Sequence, residues 1–198
     1  MHSVILASSS EIRATLLANA GIEFDAIGAD IDERAVEAPL LDANFLPEDI
    51  ASVLAEAKAL EVSERYPGAY VIGADQILAF GGRRWTKPES VEEARSNLLD
   101  LRGRTHELHA AVVCARDGEA VWRHVSTARL SMRNFSPQFL GRYLASIGEN
   151  ALSSVGSYQL EGEGVQLFDR IEGDYFTILG LPLLPLLAFL RQEGVIDG

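Results

Sequence analysis

The chain has 198 residues, 47% of them hydrophobic and 23% charged, with a formal net charge of −12. That profile is an ordinary globular one with enough apolar material for a core. The acidic balance speaks against a nucleic-acid binder, which needs a basic face to meet phosphates. It does not exclude a small anionic substrate, because a local cluster of Lys, Arg and metal overrides the global field. The single cysteine, Cys114, allows no internal disulfide and lies in the apolar run from Ala110 to Cys114, where a buried, inert thiol is the default.

The opening residues Met1-His2-Ser3 lack the basic stretch of a signal peptide, and no segment is long enough for a membrane span. A reducing cytoplasm is therefore the expected compartment. The length fits one large domain or two small ones. Val4-Ile5-Leu6-Ala7 reads as a strand, followed by Ser8-Ser9-Ser10 and a helix over 11–20 with Gly21 as its stop. Ser10 as N-cap places Arg13 in the first turn. A second strand is predicted near 24–27. Residues 28–45 show little periodicity and read as a loop. Pro47 opens a helix to Arg65, with Ile50, Val53, Leu54, Ala57 and Leu60 facing inward and Pro67-Gly68 ending it.

Residues 69–80 form a continuous apolar run, the mark of a strand buried on both faces, turned by Gly81-Gly82. A helix follows over 90–101. Two long strands, 105–116 and 119–132, are joined at Asp117-Gly118, a hairpin signal. Ser136-Pro137 starts another helix, residues 151–180 read as strands and loops, and a leucine-rich helix follows Pro182. The alternation of strands and helices interrupted by a hairpin predicts a mixed α/β fold.

Several residues have two readings. The serines of the 8–10 turn and Arg13 are either a capped helix with an exposed guanidinium or a phosphate cradle, because helix N-termini offer unpaired N–H groups and partial positive charge. Asp75 interrupts an apolar strand. It is either a turn cap or a metal ligand or general base, since a desolvated carboxylate needs a partner. Glu33 sits in the acidic stretch 30–37, either a solvated face or, together with Asp75, the carboxylate pair that magnesium takes alongside substrate phosphates. Lys58 falls at the edge of its helix's buried stripe, either snorkelling or reaching a cleft. Lys87 is held in extended backbone by Pro88. His106 is a substrate contact or a structural hydrogen-bonding group. The glycine-punctuated stretch 156–164 fits neither a Walker A motif nor a dinucleotide fingerprint. It is a plain loop or a pocket wall in which Glu161 accepts from ring N–H groups.

Taken together, Leu6-Ala7-Ser8-Ser9-Ser10 with Arg13, Ile31-Asp32-Glu33, Lys58-Ala59, Ile72-Gly73-Ala74-Asp75, Lys87-Pro88, Leu101-Arg102-Gly103-Arg104-Thr105-His106, Gly173-Asp174-Tyr175 and Gly180-Leu181-Pro182 resemble the Maf family, in its order and over nearly the whole chain. The resemblance implies an α/β fold with an elongated mixed sheet flanked by helices, similar to the inosine triphosphatases. It implies a single domain over 1–198 with two lobes around a central cleft, a cytoplasmic homodimer, and a divalent cation, Mg2+ or Mn2+. The implied reaction is hydrolysis of a nucleoside triphosphate to the monophosphate and pyrophosphate. Carried over by position, Asp75 is the catalytic carboxylate and a metal ligand, and Glu33 is the second metal ligand. Ser8, Ser10, Arg13, Lys58 and Lys87 hold phosphates. Ile12, Gln76 and Glu161 occupy the positions that distinguish subgroups. Gln76 and Glu161 resemble the 7-methyl-GTP type, which has an aromatic residue where Ile12 stands. The alternatives are a dTTP/UTP-type pyrophosphatase, a nucleotide-sensing regulator of septum formation, or a sugar-phosphate phosphatase.

Overall fold

The structure, a computed structural model, describes residues 3–197. Met1 and His2, on which the signal-peptide expectation rests, lie outside the described residues, as does Gly198. The strands are β1 (Val4–Ala7), β2 (Asp25–Ala26), β3 (Tyr70–Phe80), β4 (Arg83–Trp85), β5 (Thr105–Arg116), β6 (Glu119–Met132) and β7 (Phe168–Glu172). The helices are α1 (Glu11–Asn19), α2 (Glu33–Asp42), α3 (Pro47–Arg65), α4 (Val91–Leu101), α5 (Pro137–Ile147), α6 (Tyr175–Ile178) and α7 (Leu183–Gln192), with short 3₁₀ segments at Gly148–Leu152 and Glu163–Leu167. Among the described residues the hydrogen-bonded strand order is β2-β1-β3-β5-β6-β7, with β4 added to β3. β1 pairs in parallel with β2 and β3, whereas β3–β4 and β6–β7 are antiparallel. The expected mixed sheet is therefore present. No helix among the described residues is long and apolar enough to cross a membrane.

The chain forms two compact units. The first comprises the residues up to Gln76, His109–Thr127 and the chain from Tyr175 onward; the second comprises Ile77–Leu108 and Ala128–Asp174. In the first unit every residue of β1 is buried. Ile5, Ala7, Val62, Ala69 and Val71 form one apolar cluster, with Ile27 and Ala29 packed against it. Each large aliphatic side chain so enclosed contributes about 1.5–3 kcal/mol. At the chain's end, Phe189 of α7 stacks on Trp122 at 5.0 Å, and Glu193 accepts a 2.8 Å hydrogen bond from the Tyr70 hydroxyl. Cys114 is fully buried, and burial pushes its thiol pKa up, so it stays protonated.

Residues 28–45 are not a loop throughout, because α2 occupies Glu33–Asp42. Its start is set by Asp32, whose carboxylate accepts from the Ala35 amide, an N-cap that the internal Pro39 hides from a search for periodicity. The inward face of α3 is Ile50, Ala51, Leu54, Ala55, Lys58, Ala59, Val62 and Ser63, while Val53 is exposed and Ala57 and Leu60 are half-buried. Lys58 thus lies within the buried stripe, not at its edge. Ser10 is the N-cap of α1 by position, but its side chain makes no capping hydrogen bond.

The face that α3 buries is explained by Gly73 in β3. A Cβ added there would lie 2.1 Å from the Ala55 carbonyl oxygen and 2.8 Å from the Ala59 amide nitrogen. Helix backbone and strand backbone meet with nothing between them, so small residues on α3 must face the sheet.

In the second unit, Gly81-Gly82, both at positive φ, form a two-residue turn that folds β4 back onto β3, a strand the sequence reading lacked. Ser90 caps α4 and Ser136 caps α5. Ala94, Leu98 and Leu101 of α4 are buried, as are Leu140, Tyr143 and Leu144 of α5. The 156–164 stretch, part of the region read as strands and loops, is a packed turn. Gly164 lies flush on Gln159, where a Cβ would be 2.4 Å from the carbonyl oxygen. The Gln159 amide donates to the Tyr143 hydroxyl. Tyr158, buried, pairs with His106 through a 2.7 Å hydrogen bond at Nε2 and sets its ring edge-on to Phe168. His106 is thus buried at 1% exposure, with no partner for its Nδ1 among the described residues, the structural reading of that histidine.

Gly73→Ala should destabilise the fold by about 3 kcal/mol in urea denaturation, because the added methyl meets helix backbone and not a movable side chain. Burial lowers the His106 pKa from 6.5 to about 4. The unfolded chain therefore takes up this proton first, and the native state loses stability as pH falls from 6.5 towards 4, by about 3 kcal/mol in all. Denaturant midpoints across this window should fall for the wild type and be flatter for His106→Gln.

Candidate active site

The first unit assembles a charged cluster on one face of β3. Gly73 and Asp75 are two residues apart, so they share a face, the face covered by α3. Lys58 projects from that helix, and its ammonium lies 2.8 Å from Asp75 Oδ1. The same ammonium lies 2.9 Å from Oε1 of Glu33, the first residue of α2. Asp75 is 8% exposed and Lys58 9%, whereas the Glu33 side chain is 54% exposed. A buried carboxylate is tolerated here because an ammonium meets it directly, and removing one partner of such a pair typically destabilises by about 3–5 kcal/mol. From the residues alone, Glu33 pairs with Asp75 and Lys58 stands apart; the structure joins all three through one nitrogen.

Gln76, next in the strand, points to the opposite face. Its amide nitrogen donates to the carbonyls of Thr177 at 2.9 Å and Ile178 at 3.0 Å. Arg13 serves the same region. Its Nε donates to the Gly180 carbonyl at 2.8 Å, and its Nη1 to the Ala74 carbonyl at 3.0 Å and to Ser8 Oγ at 3.2 Å. Burial lowers the Arg13 pKa, opposed by the charges of Asp75 and Glu33, and the guanidinium remains charged. Ser8 Oγ also accepts from the Ser10 amide at 3.3 Å. Ile12 is half-buried in the first turn of α1. The first helical hydrogen bond runs from the Ala14 amide to the Ser10 carbonyl, so the amides of Glu11, Ile12 and Arg13 stand outside the helical ladder. They leave a helix start open to an anion.

Lys87 and Glu161 belong to the second unit. Lys87 is exposed between β4 and α4, just before buried Pro88, and Glu161 is exposed in the packed turn. The cluster around Asp75 therefore consists of Ser8, Arg13, Glu33, Lys58 and Gln76, with Ser10 and Ile12 at the helix start. The sequence reading missed the backbone of 177–180 as the partner of Arg13 and Gln76. Its one signal was Gly180, which has a φ of +89° and on which a Cβ would lie 3.3 Å from Arg13 Nη2.

Among the described residues no group of three or more His, Cys, Asp or Glu side chains is placed to hold a metal ion. The protein offers instead a pair of hard oxygen donors, Glu33 and Asp75, each within 3 Å of one cationic position. That set fits magnesium or manganese when substrate phosphates supply further oxygens.

The model of the Maf-like protein family matches residues 3–193. The chain belongs to the Maf family. A relative from Mesorhizobium japonicum named 7-methyl-GTP pyrophosphatase is 60% identical over 197 residues, covering 100% of this chain and 99% of its own. One from Caulobacter vibrioides named nucleoside triphosphate pyrophosphatase is 56% identical over 193 residues, covering 98% and 96%. A nucleoside-triphosphatase (dITP/XTP pyrophosphatase) from Mycobacterium abscessus aligns with 98% of this chain and 94% of its own at 12% identity, with a TM-score of 0.42, too slight a likeness to build on.

The Gln76 contacts give a direct test. Gln76→Glu turns a two-donor amide into a carboxylate facing two carbonyl oxygens. It should destabilise the protein by about 2 kcal/mol or more at pH 8. The loss should shrink at pH 5, where the introduced carboxyl, once protonated, regains one donor. Urea denaturation at the two pH values checks this.

Proposed function

We propose that this chain hydrolyses a nucleoside triphosphate at its α-phosphorus, releasing the nucleoside monophosphate and pyrophosphate, with a methylated guanine nucleotide as the preferred substrate. The observation that supports this best is the buried Asp75 carboxylate, joined with Glu33 on the Lys58 ammonium. The names borne by relatives at 56–60% identity agree with it.

The residues divide the work by their chemistry. In the free protein Lys58 holds Oδ1 of Asp75; with substrate bound, the Asp75 carboxylate accepts the proton of the attacking water. The water oxygen bonds to the α-phosphorus as the bond to the bridging oxygen breaks, and pyrophosphate departs with that bond's electrons. The open amides of α1 and the Lys58 ammonium are the donors for the phosphates. Arg13 adds positive charge behind them, while its bonds to Gly180, Ala74 and Ser8 hold the strand end and the helix start in place. A divalent cation such as Mg2+ or Mn2+, held by Glu33 and Asp75, supplies charge neutralisation at the reacting phosphorus when bound.

The decisive experiment is a panel of common and methylated nucleoside triphosphates with magnesium, scored for pyrophosphate. Asp75→Asn should lower turnover at least about a hundredfold, and guanine-type substrates should be turned over better than thymidine or uridine triphosphates. Equal turnover by Asp75→Asn would remove Asp75 from the chemistry, and release of orthophosphate from sugar phosphates would replace the reaction.

A further inference from the structure

Two carboxylates assigned to a cation already hold one, and it belongs to the protein. The Lys58 ammonium lies 2.9 Å from Glu33 and 2.8 Å from Asp75, on a side chain that is 11% exposed. Resting on the reading that Glu33 and Asp75 take a divalent cation, we infer that Lys58 is a gate. It occupies the carboxylate pair in the free protein and leaves it for the triphosphate, so metal and nucleotide bind together and not in succession.

The physical argument is one of competition at a single place. An ammonium and a divalent ion cannot share two oxygens at contact distance without strong repulsion, weakly screened because Asp75 and Lys58 are buried. A metal arriving alone must therefore displace Lys58 from its carboxylates. The displaced ammonium would lose both of its carboxylate partners, and Arg13, the other cation of the cluster, adds only like charge and is itself fixed to three acceptors. A polyphosphate changes both terms. It gives the ammonium new anionic oxygens and offsets the charge of the incoming ion. Linkage then requires that each ligand tighten the other by the same factor. The helix supports such a swing, since Lys58 is an unbranched side chain with a flexible four-carbon stem on a rigid, well-packed α3.

The test is titration of Mn2+ into the full-length protein, followed by electron paramagnetic resonance, with and without inorganic tripolyphosphate. The wild type should bind Mn2+ weakly alone and at least tenfold more tightly with tripolyphosphate. Lys58→Met should bind Mn2+ alone at least tenfold more tightly than the wild type and lose most of the tripolyphosphate enhancement, whereas Lys58→Arg should behave as the wild type. Equal or weaker binding of Mn2+ alone by Lys58→Met overturns the gate. Absence of Mn2+ binding by the wild type even with tripolyphosphate overturns the metal reading and the gate with it. Should Lys58→Met not fold, the 15N-labelled ammonium of Lys58 in the wild type is the probe. Its resonance should stay in place with Mg2+ alone and move with Mg2+ plus tripolyphosphate, and a full shift with Mg2+ alone overturns the gate.

Discussion

The contact between Gly73 and the backbone of α3 is the constraint on which the rest of the site depends. With no side chain at Gly73, the helix sits against the strand at the Ala55 carbonyl and the Ala59 amide. That approach turns the alanine face of α3 inward and carries Lys58, between those alanines in sequence, into the buried stripe. Asp75, on the same face of β3 two residues further on, meets the ammonium at 2.8 Å. A larger residue at position 73 would lift the helix and leave a carboxylate enclosed among apolar groups without its counter-charge. The chemistry of the site is therefore set by an absent side chain as much as by the charged ones.

The opposite face of the strand explains why the cluster stays rigid while it is so polar. Arg13 and Gln76 bind carbonyl oxygens of 74, 177, 178 and 180, groups far apart in sequence. A half-buried guanidinium with fixed donors ties the start of α1, the middle of β3 and the turn after α6 into one piece. The two subgroup-type positions in this unit thus differ in character. Ile12 lies half-buried at the helix start. Gln76 binds the backbone of Thr177 and Ile178, so a residue of another type there would remove the donors that hold this segment.

The elements with strong local signals were legible in the sequence. β1, the long β3, the hairpin at Asp117-Gly118 and the capped helices α4 and α5 all follow from apolar runs, turn residues and caps. What failed was set by tertiary contact. Pro39 and a charged surface hide the period of α2, although Asp32 is a sound N-cap. The buried face of α3 is not legible locally, because alanine does not announce which side it buries and the deciding partner is a glycine in another element. Asp75, Glu33 and Lys58 were each visible as residues, and the motif resemblance grouped them, but no spacing rule predicts that one ammonium bridges two carboxylates drawn from other elements. The roles of Arg13 and Gln76 toward backbone carbonyls were invisible for the same reason, since their acceptors carry no side-chain signature.

The charge balance of this cluster bears on how a strongly acidic chain handles an anionic substrate. Glu33 and Asp75 are offset by Lys58 and Arg13, so the four groups sum to zero while the whole chain carries −12. Surface charges farther away than about 8 Å are largely screened at physiological salt, whereas the buried Asp75–Lys58 pair is screened much less. A ligand at the site therefore meets the local balance, not the global one. A bare triphosphate would add several negative charges to a neutral cluster, and the cluster's two cations are already engaged, Lys58 by carboxylates and Arg13 by carbonyl and hydroxyl oxygens. On the proposed reading, a triphosphate accompanied by a divalent ion would bring its own compensation, satisfy the carboxylates that Lys58 releases, and free the ammonium for the phosphates. The proposed co-entry of ligand and counter-ion is thus an argument from the neutrality of these four residues, which a metal-bound triphosphate would disturb less than a bare one.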